Sequence, residues 1–164
     1  MAPERTPGES AAALDAAVDA TLAVLARFDE PTSQAPLRPG GWCARETLGH
    51  LIDSACNNHR RFMVGQSRGV AKFDGYEQDE WVDRQHYRAE PWQALVSLWA
   101  AYNRHLAHVM RHTSIEAAAA AGLAPDGSTE VTVRFLMDDY VGHLQHHVRQ
   151  MSAFLERQPR RPPS

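Results

Sequence analysis

The stretch Tyr140-Val-Gly-His143-Leu-Gln-His146-His147-Val148 places three histidines within five residues near the end of a 164-residue chain. If this stretch is helical, its side chains advance about 100° per residue. With Tyr140 as the zero of angle, Leu136, Leu144, Met151, Phe154 and Leu155 lie within about 60° of it. His147 falls near the middle of that apolar stripe and His143 at its edge, whereas His146 points away, beside Asp139 and Arg149. Histidines at i and i+4 bring their rings to one point, the HxxxH geometry that binds a metal on a helix. The alternative is that each ring donates to a backbone carbonyl or a nearby Asp, since a buried imidazole without a partner is costly. No glutamate completes an HExxH motif, so the zincin protease chemistry is excluded.

The other histidines carry weaker signals. His105, His108 and His112 lie opposite Trp99 and Leu106 on a helical wheel and join Arg104 and Arg111 on a solvated face. Such a face picks up stray metal without being a native site. His50 shares a stripe with Glu46, Asp53 and Asn57, opposite Leu48, Ile52 and Ala55. Periodicity leaves two readings open for that stripe: a solvent face, or the polar lining of a pocket inside a bundle. His86 falls in a connecting segment and receives no role.

Four segments have the apolar periodicity needed to position these residues, and none alternates as a strand does. The first spans about Ser10 to Phe28, with Leu14, Val18, Leu22, Leu25 and Phe28 on one stripe. Pro31, Pro36 and Pro39-Gly-Gly41 break the chain before a second helix, from about Trp42 to Val64. Its apolar side carries Leu48, Leu51, Ile52, Ala55, Phe62 and Met63. Pro91 suits the first turn of a third helix that points Trp92, Leu95, Val96, Trp99, Tyr102, Leu106 and Met110 inward. The fourth runs from about Glu130 to Glu156, its first turn weakened by Val131, Thr132 and Val133. The expected fold is all-α, a four-helix bundle. The connection over residues 65–90 is long and holds Phe73, Tyr76, Trp81 and Tyr87, so it is expected to pack and to let the second and third helices run parallel.

Composition sets bounds. The chain is 43% apolar and 23% charged, with a formal charge of −3, which argues against a nucleic-acid or anionic-membrane partner. The N-terminal residues show no apolar signal core, and no run approaches the roughly 18 apolar residues of a membrane span. These features predict a cytoplasmic protein with one domain over residues 1–157 and a loose tail over 158–164. Cys43 and Cys56 are expected to be reduced, buried thiols.

The segment Gly41-Trp-Cys-Ala-Arg-Glu-Thr-Leu-Gly-His50-Leu-Ile-Asp53 resembles the W-S-x-x-E-x-L-x-H-L-x-D helix start of the DinB/YfiT-like superfamily. His143-Leu-Gln-His-His147-Val-Arg-Gln, Tyr76-Glu-Gln-Asp-Glu-Trp81-Val and Tyr102-Asn-Arg-His-Leu are similar to further segments of that family, in the same order. The resemblance implies an up-down-down-up bundle and a divalent metal, commonly zinc or nickel, held by His50, His143 and His147. Cys43 stands where many relatives carry Ser, which alters the capping box at that helix start. Three neutral imidazoles would leave zinc an open position, the mark of a catalytic site. Family members include transferases and isomerases that use a low-molecular-weight thiol, so the implied activity is a thiol-dependent S-transferase acting on a small molecule. Metal-assisted hydrolysis, or a non-catalytic metal-binding or stress-associated bundle, are the alternatives. Glu46, Asp53, Asn57 and Asp139 are candidates to support the ligands or touch substrate. Similar proteins are commonly homodimers.

Overall fold

The computed structural model describes residues 5–67 and 71–158, so all but Gln158 of the expected tail lies outside the described residues. Four long helices dominate: α1 (Pro7–Leu25), α3 (Ala44–Gly65), α5 (Trp92–Arg111) and α7 (Val133–Arg157). Short helices α2 (Glu30–Ser33), α4 (Gln78–Arg84) and α6 (Ile115–Ala118) lie in the connections, with a 3₁₀ turn at Tyr87–Ala89.

The helix starts follow local chemistry. Thr6 Oγ1 accepts from Glu9 N while the Glu9 carboxylate accepts from Thr6 N at 2.7 Å, and Pro7 occupies the first turn of α1. At α3 the Glu46 carboxylate accepts from Cys43 N at 2.9 Å, the half of a capping box that needs no hydroxyl. At α7 the Thr132 hydroxyl accepts from Phe135 N at 3.0 Å.

Pairs of contacting residues fix the helix directions. Trp92 Nε1 donates to Leu25 O, and Arg104 reaches Asp15, so α5 runs antiparallel to α1. Ser10 meets Asp138 and Phe28 stacks on Phe154, so α7 runs parallel to α1. Near its start α3 contacts Glu90, just ahead of α5, through Arg45, and further along His59 meets Tyr102, so α3 and α5 are parallel. His50 faces His143, and Gly65 lies against Val133, so α3 and α7 are antiparallel. The result is up-down-down-up around a core that includes Leu14, Leu48, Trp99, Leu106, Met137 and Leu144.

The structure corrects several expectations. Three short strands are present: β1 (Ala71–Lys72) pairs in parallel with β2 (Ala121–Leu123), which pairs antiparallel with β3 (Glu130–Thr132). Elements of two or three residues are too short to show alternation. β3 also explains the β-branched run ahead of α7, which therefore starts at Val133 instead of Glu130. Gly122 is required in β2, because a Cβ there would stand 2.5 Å from the Phe73 ring and 2.8 Å from Ala71 O. Phe28 lies beyond α1 yet is buried, and Pro91 precedes α5 as its cap. Met63 is 51% exposed although its neighbour Phe62 is buried, because the two point to different faces of α3. Cys43 is buried as expected, but Cys56 is exposed.

The connection after α3 packs as its aromatic content predicts: Phe73, Val82 and Tyr87 are buried, and Tyr76 lies 4.9 Å from Trp81, ring to ring. No helix among the described residues is long and apolar enough to cross a membrane.

Candidate metal centre

The wheel that left His50 between solvent and pocket is resolved in favour of the pocket. His50 is 1% exposed, because the opposite side of α3 also packs, against α7 and the connection carrying α4. Its Nε2 lies 3.2 Å from Nε2 of His143, which lies 3.2 Å from Nε2 of His147. One ring nitrogen from each of the three residues lies within 4.8 Å of the other two, and no other such group of His, Cys, Asp or Glu occurs among the described residues.

A neighbour selects the tautomer of one ring, His147, and another is compatible with the same tautomer in His143. Nδ1 of His143 lies 3.3 Å from the Ser54 hydroxyl, and Nδ1 of His147 lies 3.2 Å from Oε1 of Gln150, a carbonyl that can only accept. Protons on these Nδ1 atoms leave the Nε2 lone pairs of both rings free to converge. Converging lone pairs repel unless a proton or a cation lies among them. Two nitrogens bound tetrahedrally at 2.0–2.1 Å to one ion sit about 3.3 Å apart, close to the observed separations. The donor set therefore fits a divalent ion. Trp42 closes one side, its ring 5.2 Å from that of His50.

Charge is disfavoured throughout the cluster. Burial, with help from His147 and His143, pushes His50 down to about 3. Burial also pushes His147 down to about 4, aided by His143 and His146. His143 is lowered by burial, against the opposing pull of Asp139. Neutral imidazoles at neutral pH are what metal ligation needs.

The remaining candidates spread out. Asp53 is buried one turn beyond His50, where its Oδ1 accepts from Tyr87 OH and from Gln85 Nε2, both at 2.7 Å, while its Oδ2 is buried without a partner. Burial raises its pKa against those two hydrogen bonds. Asn57 donates to Asp53 O within α3. Glu46 serves the helix cap and lies 3.7 Å from Arg88. Asp139 is exposed and acts on His143 through its charge. His146 is exposed and accepts from the Gln150 amide, while His105, His108 and His112 stack along α5. Ser54 and Gln150 were not among the expected residues, although their spacings of four from His50 and three from His147 place them beside the cluster. Trp42, expected near the start of the second helix and part of the motif that resembles the family, lies just ahead of α3, which begins at Ala44.

His143 and His147 line a cleft of about 1110 Å³ together with Arg38, Gly41, Trp42, Thr47, Asp79, Gln150 and Arg157. A half-buried three-histidine cluster open to a cleft, in a four-helix bundle, defines the class. The chain belongs to the DinB superfamily, whose sequence profile matches residues 6–151. YfiT of Bacillus subtilis, named as a candidate metal-dependent hydrolase, is 25% identical over 123 residues, covering 74% of this chain and 68% of its own. A candidate metal-dependent hydrolase of Geobacillus thermodenitrificans is 24% identical over 144 residues, covering 85% and 78%. The solved structure of B. subtilis YfiT, described as having an unusual four-helix bundle topology, superposes with a TM-score of 0.84 at 18% identity, covering 92% of this chain and 86% of that one.

Proposed function

We propose that this chain is a divalent-metal-dependent enzyme that transfers a low-molecular-weight thiol to a small electrophile, with His50, His143 and His147 as the ligands. The convergence of three Nε2 atoms beside a cleft carries this reading. Zinc or nickel suits an all-imidazole set, and such an ion, when bound, acidifies a coordinated thiol or water toward neutral pH.

The chain's own residues prepare the rest. Gln150 holds His147 in the tautomer that presents Nε2, and Ser54 is compatible with the same tautomer in His143. Trp42 and the buried side of α3 keep water from His50, which strengthens any electrostatic contact there. A cleft of about 1110 Å³ exceeds what one small molecule needs and leaves room for a thiol beside its electrophile. Among the described residues no cysteine lines the cleft, so in this reading the sulfur arrives with a cosubstrate. Two unpaired thiols, Cys43 and Cys56, fit a reducing, cytoplasmic setting.

Hydrolysis is the second reading. It is favoured by the names of the relatives and by Asp79, a carboxylate on the cleft wall able to hold a proton from water. The test is to supply the metal-loaded chain with an alkyl halide and a panel of thiols, and separately with an activated ester. Conjugation that needs both thiol and metal, and fails in His147→Ala, supports transfer. Ester cleavage without a thiol, and no conjugation, replaces it with hydrolysis. Stoichiometric metal with neither activity supports a non-catalytic metal-binding protein.

A further inference from the structure

The rim of the cleft carries two guanidinium groups that no carboxylate among the described residues neutralises. Arg38 precedes α3, Arg157 closes α7, and neither has a carboxylate partner among the described residues. Both also line a second, shallower depression of about 660 Å³, which the histidines do not reach. The arginines therefore stand where the two depressions meet. Among the described residues Asp79 is the one carboxylate on the wall of the main cleft, so two cations face one anion before any metal is counted.

Each arginine also packs against a neighbouring part of the chain. Arg38 folds over Gly41: a Cβ on Gly41 would stand 2.7 Å from Arg38 Cγ and 3.0 Å from its Nε. The turn is closed by Gly41 N donating to Arg38 O at 3.0 Å. Arg157 spends one donor on Leu37 O at 2.9 Å, the carbonyl next to Arg38. A guanidinium has five N–H donors, so most of this fork remains available. The arginines thus approach one another through adjacent residues, although they come from opposite ends of the fold's sequence.

We infer that Arg38 and Arg157 clamp an anionic group, a carboxylate or a phosphate, at the end of the substrate or cosubstrate distant from the histidines. This rests on the reading of the cleft as the active site. Ten residues of α7 separate His147 from Arg157, about 15 Å of backbone rise. A ligand that spans both is an extended small molecule with its reactive atom at one end and its anion at the other. Planar forks suit such an anion through paired N–H···O contacts, and in a partly enclosed cleft these count for more than at an open surface.

The test uses calorimetric titration of the full chain with succinate, inorganic phosphate and the neutral isostere succinamide. Each is run as isolated and after chelator treatment, because a carboxylate can also reach a metal directly. Succinate or phosphate is expected to bind the chelator-treated chain about tenfold more tightly than succinamide, and the tighter of the two names the anion. The double variant Arg38→Gln, Arg157→Gln should lose that preference while keeping the parent's helical content and metal content. Gly41→Ala, which displaces Arg38 but keeps its charge, should weaken anion binding several-fold. Equal binding of succinate and succinamide, or full affinity in the double variant, overturns the clamp. A parent chain that binds no metal would sink the proposed reaction, yet the chelator-treated titrations would still read the clamp on its own.

Discussion

Ser54 Oγ lies 3.3 Å from His143 Nδ1, so a residue one turn along α3 from His50 holds a ring on the opposing helix. The same device recurs inside α7, where Gln150 Oε1 lies 3.2 Å from His147 Nδ1. Partners of this kind orient ligating rings and typically change metal affinity ten- to a hundredfold. Ser54→Ala and Gln150→Ala are each expected to weaken zinc binding by about tenfold while leaving stoichiometry at high zinc unchanged. Competition against a chromophoric chelator measures this. Parent-like affinity in both variants would mean that packing alone orients the rings.

Replacing the ligands themselves should be far more severe. His50→Ala, His143→Ala and His147→Ala each leave two nitrogens, and high-affinity metal should be lost from all three on elemental analysis of untagged protein. His146→Ala should retain it, since that ring is exposed, pairs with Gln150 and meets the cluster only edge-on at His147, 5.4 Å ring to ring, without joining the converging nitrogens. Joint replacement of His105, His108 and His112 should also leave it intact. Metal lost with this triplet instead would place the site on α5.

The fate of these expectations shows what a sequence carries. The four helices were legible from their apolar stripes, and the long connection allowed the second and third to run parallel, while the full up-down-down-up order was implied by the family resemblance. His143 and His147 were legible because helical spacing alone puts them together. His50 was legible only through the family resemblance and not from periodicity: a wheel reports which residues share a face, while what covers that face depends on α7 and the connection, far away in sequence. The strands were hidden by their length, and the contacts of Trp42 with His50 and of Tyr87 with Asp53 by arising from the fold instead of from helical spacing. Arg38 and Arg157 are 119 positions apart and meet only through the fold.

The buried imidazoles make the metal-free protein acid-sensitive. His50 and His147, held down to about 3 and about 4, bind fewer protons when folded than when unfolded, up to the ordinary value near 6.5. Where the unfolded chain holds more protons, unfolding free energy rises with pH, so stability is lost as pH falls below about 6.5. Asp53, raised by burial, works in the opposite sense, favouring the fold at low pH. Comparison with a His50→Gln, His147→Gln variant cancels the Asp53 contribution. Melting temperatures of the chelator-treated proteins should fall more steeply for the parent than for the variant between pH 7 and pH 5. Parallel profiles would show that the rings stay accessible to protons in the folded state.

Gly49 precedes His50 in α3, and Tyr87 lies directly on it: a Cβ there would stand 2.1 Å from the Tyr87 ring. The phenol thus reaches past the helix backbone to donate to buried Asp53 at 2.7 Å. Alanine is normally the better helix residue, by about 1 kcal/mol. Here overpacking against a buried ring costs about 1–3 kcal/mol, and displacing the phenol strips a bond from Asp53 at about 1–3 kcal/mol more. Gly49→Ala should therefore destabilise the protein by about 1–5 kcal/mol in urea unfolding. Tyr87→Ala, which removes the ring, should be destabilising in its own right. In that background the clash is gone, and Gly49→Ala should change sign and stabilise by up to about 1 kcal/mol. If the substitution costs the same with and without the ring, the close approach of Tyr87 is not what requires glycine at position 49.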